Sequence, residues 1–174
     1  MIETISSKMA HSIKRANPEH PASFEVLKYA LASVINLVGT VLLAVLLAIL
    51  LDHVVGTLVA LVSFGMLRSV SGGYHMNSSV HCMIVTALAA NAIPYIQLSS
   101  TVILIMTVVS VILAMLFAPS NIEKSSRIPA RYYPLLKLIA TLIISSNLLF
   151  NSSVAATCFL LQSSFLIPFS KKRR

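Results

Sequence analysis

Charge is scarce in this sequence: only 10% of its 174 residues are Asp, Glu, Lys or Arg. A soluble domain carries about 25%, so a surface that is mostly water-facing is excluded. Acids are scarcest, with five in the chain. The long apolar segments hold almost none of them, and Asn36, Asn91 and Asn147 are their main polar residues. The buried acids that line an ion pathway are therefore missing. Residues 1–21 are polar, with Lys8, Lys14 and Arg15, and lack the apolar h-region of a cleavable signal peptide. The expectation is that the chain keeps its full length in the membrane. No internal repeat or low-complexity tract is present.

What is abundant is apolar: 57% of residues, with a mean hydropathy of +0.89. Residues 29–51 run without a charge, long enough for a helix to cross a hydrocarbon core of about 30 Å. Further apolar blocks cover residues 54–67, 80–98, 101–117, 135–150 and 154–169. Lipid leaves helices as the sensible spanning form. The fold expected is all-α: one integral membrane domain over residues 1–174, with six transmembrane helices. Block 54–67 is the weakest, so four spans plus two re-entrant segments is the rival arrangement.

In the six-span arrangement, one side receives the N-terminus, the loop at 68–79, the loop at 118–134 and the tail. With their bordering helix ends these hold all thirteen Lys and Arg, and the opposite side holds none. Such asymmetry places that side, with both termini, in the cytoplasm. Anionic lipid at the cytoplasmic face accounts for the net charge of +8, and nucleic acid is not needed as a partner. The arm at residues 1–17 repeats Ile2, Ile5, Met9 and Ile13 at helical spacing before Asn17-Pro18. It reads as an amphipathic helix on the membrane surface.

The chemistry concentrates in the first cytoplasmic loop. Arg68, Gly72, Gly73, His75 and Cys82 fall within 15 residues. A cysteine becomes a useful nucleophile beside an imidazole or at a helix N-terminus. Asn77, Ser78 and Ser79 are natural N-caps for the helix that follows, which puts Cys82 in its first turn or just beyond. On one continuous helix His75 and Cys82 would stand about 10 Å apart along the axis, too far to share a proton. The glycine pair gives the loop the freedom to fold His75 back. Unpaired N–H groups at the helix start could hold an oxyanion.

Plainer readings compete. Cys158 reads as a packing residue on the outer side, away from Cys82, which disfavours a disulfide between them. His81 adjoins Cys82 but points elsewhere on the helix. His75, His81 and Cys82 could ligate a metal, though no fourth ligand is evident. A non-enzymatic transporter subunit or peptide-export chaperone is the rival function.

Arg68, three residues, Gly72-Gly73-Tyr74-His75, six residues and Cys82 together resemble the accessory gene regulator protein B (AgrB) family. The basic arm, the hydrophobic segments and Ala118-Pro119 opening a second basic loop fit as well. The run Ser120-Asn121-Ile122-Glu123-Lys124, then Arg127-Ile128-Pro129, departs from the family pattern of an early acid followed by Lys-Pro. The resemblance implies a membrane cysteine peptidase of a Gram-positive bacterium that processes a short quorum-sensing propeptide. By it, His75 and Cys82 form the catalytic pair and Arg68 is a functional residue beside them. The acyl transfer it implies closes a thiolactone or lactone ring and needs no cofactor or metal. The partners are then the propeptide and anionic lipid, with a homo-oligomer also compatible.

Overall fold

Residues 2–73, 78–120 and 129–167 are described in this computed structural model. They form helices α1 (Ile2–Ala16), α2 (Phe24–Leu50), α3 (Val54–Ser71), α4 (Ser79–Ala92), α5 (Ser100–Phe117), α6 (Tyr133–Ser145), α7 (Asn147–Phe150) and α8 (Ser153–Ser164). Short 3-10 turns occupy Ile93–Tyr95 and Ala130–Tyr132. No strand is present among the described residues, so the expected all-α class holds.

Local chemistry sets the boundaries. Ser23 caps α2 by accepting from the Val26 N–H, and Ser152 caps α8 by accepting from the Ala155 N–H. Pro119 pushes Ala118 to ψ 146, which ends α5. Asn151 takes a left-handed conformation at φ 48, so the chain reverses between α7 and α8.

Burial is inverted relative to a water-soluble protein. Small and hydroxylated residues fill the interior: Thr40, Ala44 and Ala48 on α2, Thr57 and Ala60 on α3, Thr107, Ser110 and Ala114 on α5. Leu46, Leu50, Leu116 and Leu149 point outward. That is the signature of helices packed in lipid, where small residues bring backbones close and large apolar ones face acyl chains. Among the described residues, four helical stretches are long and apolar enough to cross a membrane: Phe24–Leu50, Val54–Ser71, Ser100–Phe117 and Tyr133–Phe150.

The lengths depart from the sequence reading. Block 54–67, expected to be the weakest, extends to Ser71 because Arg68 continues the helix in its last turn. A cation there is favoured by the helix dipole. The shorter helices include α4, which Pro94 turns into a 3-10 segment, and α8, with 12 residues. α8 is buried nearly all round, through Ala155, Ala156, Thr157, Cys158, Phe159, Gln162 and Ser163, and packs on α3 and α5. A helix covered mostly by its neighbours need not match the thickness of the hydrocarbon. The block at 135–150 is interrupted at Ser146, between α6 and α7.

The N-terminal arm is helical, as expected, and docks on α2 by a face beside its apolar stripe. Ile2, Ser6 and Ala10 are buried in α1, which packs on α2, whereas Ile5 and Met9 are 47% and 44% exposed. The small residues admit close helix contact. The Ile5–Met9 face is left for the membrane surface.

Two polar clusters mark opposite ends of the bundle. At one end the Tyr95 hydroxyl donates to Leu51 O, Asn151 donates to Ser100 Oγ, and His53 packs edge-on against Tyr95. Deeper on that side, Asn147 donates to Thr107 Oγ1 and Ser152 O and accepts from the Ser152 N–H. Asn91 bridges α2, α3 and α4, donating to Ala44 O and accepting from Thr57 Oγ1. The other end carries the candidate site.

Candidate functional site

The site lies where α3 ends, α4 begins and α8 finishes. Helix α3 closes at Ser71, and Gly72 and Gly73 follow with φ of 70 and 121. Those conformations exact a strain from any residue with a Cβ, which explains the paired glycines physically. The two backbones then meet residue 120: the Ser120 N–H donates to Ser71 O at 2.9 Å, and the Gly73 N–H donates to Ser120 O at 2.8 Å. This short parallel bridge joins the roots of the loops at 68–79 and 118–134. Both loops therefore leave the bundle from one point.

Cys82 stands at the fourth residue of α4. Ser78 is its N-cap residue, although its side chain makes no capping bond, and the Cys82 N–H is bonded to Ser78 O at 3.1 Å. The thiol is partly buried and free. The preceding turn directs backbone N–H groups toward the same end. His81 is exposed. His75, the expected base, lies outside the described residues, as do the 121–128 segment of the second loop and the basic run Lys171-Lys172-Arg173-Arg174.

Arg68 lies in the last turn of α3, at the same end of the bundle. Its guanidinium is near enough to interact electrostatically with an ionised Cys82 sulfur. It also lies over the Phe64 ring, 5.6 Å from the centroid, and Nη1 donates to Gln162 Oε1 at 3.5 Å. Gln162 is fully buried on α8, and its Nε2 donates to Gly72 O at 2.7 Å and to Ser71 Oγ at 3.3 Å. One amide thus ties Arg68 to the glycine turn. The arrangement offers a thiol, a cation and a helix start at one end of the bundle, a set suited to acyl-group chemistry.

Arg68, Gly72, Gly73 and Cys82, singled out in the sequence, therefore share one end of the fold. Gln162 and Ser120 were missed. The signal for Gln162 was its amide in an apolar helix, the same signal that drew attention to Asn36, Asn91 and Asn147. Cys158 is remote from this end: it is buried among Ala60, Ala90 and Ile93, with Sγ 3.6 Å from Ala60 O.

The fold and site define a helical membrane-associated protein with a cysteine–arginine cluster at one end. Comparison with known proteins is specific. The family "Accessory gene regulator B" matches residues 4–169, and the chain belongs to that AgrB family. It is 27% identical over 100 residues to a protein of Halalkalibacterium halodurans, covering 58% of this chain and 51% of the relative. It is 32% identical over 71 residues to one of Lactiplantibacillus plantarum, covering 41% of this chain and 36% of the relative. Both carry the provisional name AgrB-like protein. The matches thus span about half and about a third of these relatives' own lengths. No solved structure matches the chain.

Proposed function

We propose that the chain is a membrane cysteine endopeptidase that removes the C-terminal tail of a quorum-sensing propeptide and passes the remaining acyl group into a ring. The observation that carries this reading is Cys82 in the opening turns of α4, at the end of the bundle where Arg68 closes α3 and the two loop roots meet. Membership of the AgrB family supports it.

In this reading His75 takes the thiol proton and the Cys82 sulfur attacks a peptide carbonyl. The tetrahedral oxyanion forms near the positive end of α4 and the Arg68 guanidinium. As the C–N bond breaks, the proton returns to the leaving amine and a thioester remains on Cys82. A thiol or hydroxyl of the bound peptide then attacks the thioester, closes a thiolactone or lactone, and regenerates the Cys82 thiol. Every proton and electron pair is accounted for without a cofactor. Exchange of one thioester for another is nearly thermoneutral, so forward flux depends on removal of the tail or the ring. The site end faces the cytoplasm, the side on which all thirteen Lys and Arg of the six-span arrangement lie.

The test traps the intermediate. A propeptide whose ring-closing Cys or Ser is replaced by Ala should acylate Cys82 and stall. The expected result is a mass increase on the enzyme, removed by hydroxylamine and absent from Cys82→Ala. It should be strongly reduced in His75→Ala, since general-base help contributes about 10²- to 10⁴-fold. Undiminished cleavage by Cys82→Ala would overturn the assignment.

A further inference from the structure

Beyond the residues the sequence motif names, Gln162 sits at the junction of the site's two fixed parts. It is fully buried, and its amide is used at both ends. Reversing that amide would set an NH2 against the Arg68 donor and an oxygen against Gly72 O, so its partners fix which end is which. The 2.7 Å bond to Gly72 O anchors the Nε2 end firmly. Oε1 is then held toward Arg68, at the outer limit of hydrogen bonding. Gly73 reinforces the arrangement, because a Cβ there would lie 3.2 Å from Gln162 Nε2 and 3.4 Å from Phe165 O. The loop root is therefore pressed directly onto the end of α8.

We propose that Gln162 is a positioning residue: its Oε1 orients the Arg68 guanidinium toward the Cys82 sulfur while its Nε2 clamps the Gly72 carbonyl at the root of the reactive loop. The inference rests on Cys82 being the reacting sulfur of the proposed peptidase. A long flexible cation has many rotamers, and holding it in one is an entropic cost that must be met before reaction. A fully buried acceptor, itself locked by Gly72, contributes to that restraint. The acceptor is neutral, so it orients Arg68 without cancelling its charge at the sulfur, as a carboxylate would.

The test reads positive charge at the sulfur without using the propeptide. In full-length protein carrying Cys158→Ala, Cys82 is alkylated with anionic iodoacetate and with neutral iodoacetamide. Both reagents consume the same ionised sulfur, so the ratio of their rates isolates the local field. Arg68→Ala and Gln162→Met should each lower the iodoacetate-to-iodoacetamide ratio by at least about 3-fold, consistent with loss or displacement of one charge at an exposed-to-intermediate site. In the Arg68→Ala background, Gln162→Met should lower the ratio no further. A merely structural role would change both reagents' rates together and leave the ratio constant. Gln162→Leu serves if the Met variant does not fold, judged by detergent-solubilised yield and far-UV circular dichroism. An unchanged ratio in the folded Gln162 variant, or losses that multiply in the double variant, would overturn the proposal. Cleavage by Cys82→Ala would instead defeat the peptidase reading while leaving the measured charge at Cys82 intact.

Discussion

Adding one methyl group at Gly73 should be costly, whereas the same change at Gly65 should be harmless. Gly73 has φ +121, a conformation that residues bearing a Cβ rarely adopt. Forcing alanine into such a region costs about 1–3 kcal/mol. The new Cβ would also stand 3.2 Å from Gln162 Nε2, 3.4 Å from Phe165 O and 3.7 Å from Leu166 Cδ2. Neither polar neighbour yields easily: Nε2 is bonded to Gly72 O, and Phe165 O is backbone. The strain figure therefore acts as a floor, equivalent to about 5- to 150-fold in the folding equilibrium at RT of about 0.6 kcal/mol. Gly65 lies in the interior of α3, and beyond its own stretch of helix no atom of the described residues lies within 4 Å of its notional Cβ. There, alanine should stabilise by up to about 1 kcal/mol through helix propensity. Sodium dodecyl sulfate titration in mixed micelles, followed by far-UV circular dichroism, gives both values. If the strained loop root swings off α8 instead, the midpoint of Gly73→Ala holds but propeptide cleavage falls. Wild-type midpoint together with wild-type cleavage would refute the reasoning.

Two further substitutions separate satisfied from unsatisfied polar groups. Asn91→Ala removes bonds to Ala44 O and Thr57 Oγ1, and at about 0.6 kcal/mol per interhelical bond should cost roughly 1–2 kcal/mol in the same titration. Thr57→Ala should then cost less in the Asn91→Ala background than in the wild type, and equal costs would sever the link. Ser163→Ala should be neutral or stabilising by about 1 kcal/mol, because its buried Oγ finds no hydrogen-bond partner among the described residues. A loss exceeding about 1 kcal/mol there would show that the hydroxyl is satisfied after all.

The helical class was legible because long uncharged runs such as residues 29–51 leave the chain no other way to satisfy its backbone in lipid. Helix lengths were less legible, and the reason differs at each place. At Arg68 a charge looked like the end of a membrane block, but Phe64 and Gln162 accommodate the guanidinium and the helix runs on to Ser71. At 154–169 hydropathy suggested a membrane span, whereas α8 is a short helix of 12 residues packed among its neighbours. Mean hydropathy cannot separate burial in protein from burial in lipid, since both favour apolar residues. The pattern of small residues distinguishes them: Ala155, Ala156 and Cys158 lie in the core, while Leu161 reaches the outer surface.

The site shows a related limit. Arg68, Gly72, Gly73 and Cys82 are close in sequence, so a local motif reveals them. Gln162 is 94 residues from Arg68, and no local pattern joins the two. Its contribution depends on α8 ending at the same depth as α3, a consequence of the turn at Asn151 and the packing of Phe159 and Leu166 in the core. The residues that perform chemistry can therefore be carried by a short segment. Those that fix its geometry must come from a separate, better-buried helix, because a loop that holds itself in place with its own residues has nothing rigid to hold against. Here the buried amide of α8 and the backbone of Ser120 supply that external frame, each binding backbone groups of the loop root.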